Sequence, residues 1–159
     1  MTLVIGYGNR LRGDDGVGWI AVEQMMARRP DVSIQIVQTL TPELAGDIAL
    51  AHLVIFVDAR TGDHPGRVHV ERLEHDADAD GSAHGLGPAS LVAWTARLFG
   101  RRPPAYLVTI EGERFGFGET LSPNVERSIP EAVAAIEWVA RRAGATRPAA
   151  RESSATAAC

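Results

Sequence analysis

Residues 4–18 read "VIGYGNRLRGDDGVG": an apolar run breaks into a glycine-rich turn and then resumes as the start of a helix. The run opens at Thr2, and "TLVIGY" is almost continuously apolar, as a strand buried on both faces of a parallel sheet would be. Beyond the turn, Val17, Ile20, Ala21 and Met25 recur at helical spacing, which predicts a helix over 16–28 closed by Pro30. Strand, tight turn and helix in that order are the opening unit of a doubly wound α/β domain. Such turns commonly cradle a phosphate, but this one carries the adjacent acids Asp14 and Asp15, and Leu11 stands where a dinucleotide fingerprint needs its third glycine. Carboxylates suit a cation instead.

The same alternation continues outward. "VSIQIVQT" (32–39) sets Val32, Ile34 and Ile36 against polar neighbours, as in a strand near a sheet edge. "TPELAGDIALA" (41–51) reads as a short helix with Thr41 as N-cap and Pro42 in its first turn. "LVIFVDA" (53–59) is the most apolar stretch and predicts a central strand ending in Asp58. "GRVHVERL" (66–73) alternates as an edge or antiparallel strand, and the charged, aperiodic stretch 74–87 reads as a loop. A helix over 88–100, with Leu91, Val92, Thr95 and Leu98 on its inner face, precedes a core strand at "AYLVTIEG" (105–112). Ser122 and Pro123 announce a last helical stretch. Within it, Pro130 requires either a kink or a short turn ahead of a main helix over 130–142. The fold class is α/β: a three-layer sandwich with a mostly parallel sheet and helices on both faces.

At 159 residues the chain suits one domain, expected over 1–145, followed by a disordered tail over 146–159. A net charge of −4 offers no footprint for nucleic acid or an anionic membrane. No apolar run is long enough to span a bilayer, and with no leader-like N-terminus the expected location is the cytoplasm. The one cysteine, Cys159, ends the tail, so neither an internal disulfide nor a thiolate metal cage can form. No Walker lysine, HExxH pair or GxSxG elbow occurs.

In an open parallel sheet, ligands bind beyond the carboxyl ends of the strands, where strand order reverses. Three such ends carry acid: Asp14 and Asp15 after the first strand, Asp58 on the third, and Glu111 and Glu113 on and after the last. A borderline transition metal there would also want imidazole. His52, His64 and His69 lie at or near strands and read as surface or satisfied histidines, and His75 as solvated. His84 stands apart, in the small-residue stretch "SAHGLG" before a helix. Asp14 reads first as a cap on the first helix. Asn9 either holds the turn or touches a ligand, Thr39 and Thr41 are available to one, and Glu111 and Glu113 are either rim charges or site residues.

Taken in order, "VIGYGNRLRGDDGVG", "TLTPELAGDI", "VIFVDA", "SAHGLG" and "LSPNVERSIPEAV" resemble the hydrogenase maturation endopeptidases over 1–143. That resemblance implies a five-stranded, mostly parallel twisted sheet with one antiparallel strand. It also implies an enzyme that removes the C-terminal extension of a nickel-iron hydrogenase large-subunit precursor after nickel insertion. It assigns metal contact to Asp15, Asp58 and His84, with Asp15 and Asp58 as the catalytic candidates. The nickel is supplied by the precursor, and the free protein is expected to be a monomer. Some family members have Glu where this chain has Asp15, so this arm is one methylene shorter. Two carboxylates and one imidazole leave coordination positions open to substrate ligands. The competing reading is a metal- or nucleotide-binding module without peptidase activity on the same scaffold.

Overall fold

The computed structural model describes residues 1–74 and 86–144. Five strands form one sheet: β1 (Thr2–Tyr7), β2 (Ser33–Val37), β3 (Leu53–Thr61), β4 (Val68–Arg72) and β5 (Ala105–Gly112). Four helices accompany them: α1 (Val17–Met26), α2 (Leu44–Leu50), α3 (Pro88–Phe99) and α4 (Pro123–Gly144). The sheet order is β2-β1-β3-β5-β4, parallel throughout except for β4, which pairs antiparallel with β5 at one edge. The sequence-based expectations of a central β3, an edge position for β2 and an edge or antiparallel 66–73 segment match this arrangement.

Two cores explain the layering. Val4, Ile55, Val57, Val108 and Ile110 face Val17, Ala21, Met25, Val133 and Ile136 of α1 and α4. From the opposite face of the same strands, Leu3, Ile5, Val54 and Phe56 pack on Leu44, Ile48, Leu91 and Val92 of α2 and α3. Alternate side chains of a strand point to opposite faces, so a strand that is apolar at every position feeds both cores. That is the physical content of the continuous run in β1 and β3. Strand order reverses between β1 and β3: the chain steps from β1 to β2 on one side and returns to β3 on the other. The β1 and β3 ends are therefore the switch point at which such sheets bind ligands.

Local structure departs from the periodicity at four places. Residues Gly13–Gly16 form a 3-10 turn ahead of α1, so Asp14 and Asp15 lie inside a tight turn before the helix. Thr41 and Pro42 form a turn of their own, accepting from Leu44 and Ala45 N–H, and α2 begins only at Leu44, after Glu43. Leu98 is exposed, leaving Leu91, Val92 and Thr95 as the inner face of α3. Helix α4 runs unbroken through Pro130. Both Pro130 and Glu126, whose carbonyl loses its partner there, are exposed, so water can replace the missing donor. The expected tail over 146–159 lies outside the described residues.

Candidate active site

The site begins with register. The β1–β3 pairing ends at Gly6↔Val57, and its next step sets Tyr7 beside Asp58. Paired residues of parallel strands share a face, so the two side chains lie together on the α2/α3 side of the sheet. Tyr7 packs against that core, and its hydroxyl donates a hydrogen bond to the Asp58 carboxyl. Strand β3 does not end at Asp58, as the sequence suggests, but continues to Thr61 along β5. Asp58 is thus the point at which β3 loses its β1 neighbour while keeping β5 on its other side.

Helix α1 brings the second carboxylate close. Gly18 sits so near the β3 backbone that a Cβ there would lie 2.5 Å from the Val57 carbonyl oxygen and 3.0 Å from the Asp58 Cα. Only glycine allows this approach, which carries the preceding turn toward the end of β3. Gly8 is its counterpart: with φ at +132°, its missing Cβ would fall 2.0 Å from the Asp15 carbonyl oxygen. Asp15 is held by the Asn9 N–H, which donates to its Oδ2 at 2.8 Å. The Asn9 side chain accepts from the Leu11 N–H at 2.9 Å, so Asn9 acts as the brace of the turn.

Electrostatics follow from the crowding. Burial pushes the Asp58 carboxyl up to about 6; hydrogen bonds from Tyr7 and from the Ala59 N–H oppose the rise, and the negative charge of Asp15 adds to it. The Tyr7 hydroxyl is held well above its ordinary range by burial and by the charges of Asp58 and Asp15. A carboxyl titrating near 6 is suited to exchanging protons at neutral pH.

Asp14 does something else. It does not cap α1; its fully buried carboxylate joins two loops. Oδ2 accepts from the Glu113 and Arg114 N–H groups, each at 2.8 Å, and from the Ser122 hydroxyl at 2.8 Å. Oδ1 accepts from the Ser122 N–H at 2.6 Å. Burial pushes this carboxyl up, but the hydrogen bonds from Ser122, Arg114 and Glu113 outweigh it and hold it below the usual range. Arg114 Nε completes the clasp by donating to the Ser122 Oγ at 2.9 Å.

Asp15 stands close enough to Asp58 for its charge to add to the rise of the Asp58 carboxyl; His84 lies outside the described residues, as does His75. Among the described residues no cluster of three His, Cys, Asp or Glu side chains is placed to hold a metal ion. Glu111 turns away to the β3–β4 connection, where its carboxylate accepts from the His64 N–H at 2.7 Å and pairs with His69 Nε2 at 2.6 Å. Antiparallel pairing causes this, setting His69 opposite Thr109 and one diagonal step from Glu111. Glu113 is exposed and contributes its backbone N–H to the clasp. Thr39 is exposed, and the Thr41 hydroxyl donates to the Glu43 carboxylate. Sequence reasoning missed Tyr7, Ser122 and Arg114. The signal for Tyr7 is a tyrosine between two glycines at the end of a buried strand, where a merely apolar position would need no hydroxyl.

No family model matches the chain, and no curated protein matches it. Solved structures do. The hydrogenase maturating endopeptidase HybD from E. coli is 29% identical, with a TM-score of 0.76 over 90% of this chain and 93% of that one. A solution structure of an endopeptidase from Escherichia coli is 30% identical, with a TM-score of 0.71 over 90% and 93%. The [NiFe] hydrogenase maturation protease HybD from Thermococcus kodakarensis is 25% identical, with a TM-score of 0.71 over 87% and 98%.

Proposed function

Since the chain belongs to the hydrogenase maturation endopeptidases, and is thus a peptide hydrolase, we propose that it removes the C-terminal extension of a nickel-iron hydrogenase large-subunit precursor once nickel is in place. One observation carries this reading: Asp15, from the turn before α1, and Asp58, from strand β3 where it leaves β1, lie at the switch point of the sheet, and there the Asp58 carboxyl is pushed up to about 6.

In this reading the nickel belongs to the substrate. Asp15 and Asp58, with His84, are the residues of this chain that would contact it. Two carboxylates and one imidazole make an incomplete donor set, one that favours a metal already held by precursor ligands over a free ion. Peptide hydrolysis needs a group to take the proton of the attacking water, and Asp15 or Asp58 is the carboxylate placed to do so. Tyr7 holds the Asp58 carboxyl in orientation, and Asn9 holds Asp15. The expected setting is the cytoplasm, and no described helix is long and apolar enough to cross a membrane.

The test incubates the protein with nickel-loaded and nickel-free precursor and follows precursor length by mass spectrometry. Shortening of the loaded form alone is the expected result. Cleavage of neither form, or of both equally, overturns the reading. Asp58→Asn is expected to abolish cleavage while leaving the fold intact; retained cleavage removes Asp58 from the chemistry.

A further inference from the structure

The loops joined through Asp14 also carry two exposed apolar side chains. Phe117 is 98% exposed and Leu11 50% exposed. The parallel bridge Arg12↔Gly118 sets Leu11 beside Phe117. Gly118 N–H donates to the Leu11 carbonyl at 3.0 Å, and Gly13 N–H donates to the Gly118 carbonyl at 2.7 Å. From Leu11 the hydrogen bonds lead straight to the site: its N–H donates to Asn9 Oδ1, and the Asn9 N–H donates to the Asp15 carboxylate.

The loop that carries Phe117 is anchored. Phe115, two residues earlier, is half-buried and packs its ring over the Gly112 backbone, where a Cβ would lie 2.5 Å from the ring. Asp14 ties the loop down at Glu113, Arg114 and Ser122. Phe115 therefore turns in and Phe117 turns out. An apolar side chain on a pre-ordered loop gives its contact energy to a partner without first losing it to ordering the loop.

We infer that Leu11 and Phe117 form an apolar grip for the precursor polypeptide, seating one of its apolar side chains next to the bond that is cut. The inference rests on the reading of this chain as a precursor-processing endopeptidase. The occupant follows from continuity: Leu11 belongs to the braced turn that holds Asp15, and the Phe117 loop is bridged to that turn, so a peptide placed at the carboxylates has both side chains as its apolar neighbours. Grip and chemistry are then separable, since the two apolar side chains bear on binding and the carboxylates on the rate of cleavage.

The experiment measures cleavage of the nickel-loaded precursor by the wild-type protein, by Leu11→Ala, Phe117→Ala and their double variant, and by Phe117→Leu. An apolar grip raises KM about tenfold in the double variant, leaves kcat within about twofold, and is largely restored in Phe117→Leu. The unfolding midpoints are expected to match the wild type, because both side chains are exposed. An unchanged KM in the double variant, beside an active wild type, overturns the grip and leaves the endopeptidase reading standing. A fall in kcat at unchanged KM also overturns it, by assigning the loop to the chemistry. A wild type that leaves the loaded precursor uncut defeats the endopeptidase reading itself, and the grip falls with it.

Discussion

The carboxylate of Asp14 and the main chain and hydroxyl of Ser122 are joined by two hydrogen bonds across 108 residues of sequence, deep in the molecule. Together with the Glu113 and Arg114 N–H groups, they give one buried carboxylate four donors. An asparagine has one acceptor oxygen and two N–H groups, so Asp14→Asn would leave donors facing donors. The expected loss is about 2–4 kcal/mol, seen as a lower urea midpoint at an unchanged slope. Ser122→Ala removes one donor and is expected to cost about 1 kcal/mol. Equal midpoints for wild type and Asp14→Asn would mean that the clasp does not hold the loops.

Tyr7 makes a separable prediction. Its hydroxyl orients Asp58 and opposes the rise of the Asp58 carboxyl, while its ring packs in the α2/α3 core. Tyr7→Phe keeps the ring and removes the hydroxyl. Stability is expected to change by about 1 kcal/mol or less, while cleavage slows and its pH profile moves to higher pH, because Asp58 loses a hydrogen bond that favours its charged form. An unmoved profile with full activity would make Tyr7 a packing residue alone.

Glu111 supplies a pH dependence of folding at the β3–β4 connection. The His64 N–H and the His69 ring hold its carboxyl below the usual range, against the opposing effect of burial. An unfolded glutamate titrates at about 4.3, so the folded state binds the proton less readily. The stabilisation is fully present above that value and is lost as pH falls through the lower folded value. Glu111→Gln is expected to be less stable than the wild type at pH 7, with the gap closing below about pH 4. Denaturation curves across pH 3–7 check this, and a gap independent of pH would contradict it.

What the sequence disclosed, and what it hid, follows from range. The continuous apolar runs in β1 and β3 announce a two-sided sheet because alternation is local, and the acids at their ends follow from the same reading. Asp14 could not be read that way. Its donors come from residues 113, 114 and 122, and nothing within a turn of it distinguishes an N-cap from a long-range clasp. Glu111 likewise looks like a site acid until antiparallel β4 brings His69 beside it. Tyr7 was visible but unremarked, because its partnership with Asp58 exists only once the β1–β3 register is known.

Gly18 sets two effects against each other. Alanine is favoured over glycine inside a helix by about 1 kcal/mol, which alone would make Gly18→Ala stabilising. A Cβ there, however, would lie 2.5 Å from the Val57 carbonyl oxygen and 2.9 Å from its carbon. Both atoms are main chain of the central strand and cannot swing aside as a side-chain tip would, so α1 must move instead. The overpacking is expected to cost about 1–3 kcal/mol, and the shift would carry the Asp15 turn away from Asp58. Gly18→Ala is therefore expected to lower both the unfolding midpoint and precursor cleavage, the latter by more than the lost stability accounts for. A variant of higher midpoint and full cleavage would show that α1 packs on β3 with room to spare, and that the pairing of the two carboxylates does not depend on this contact.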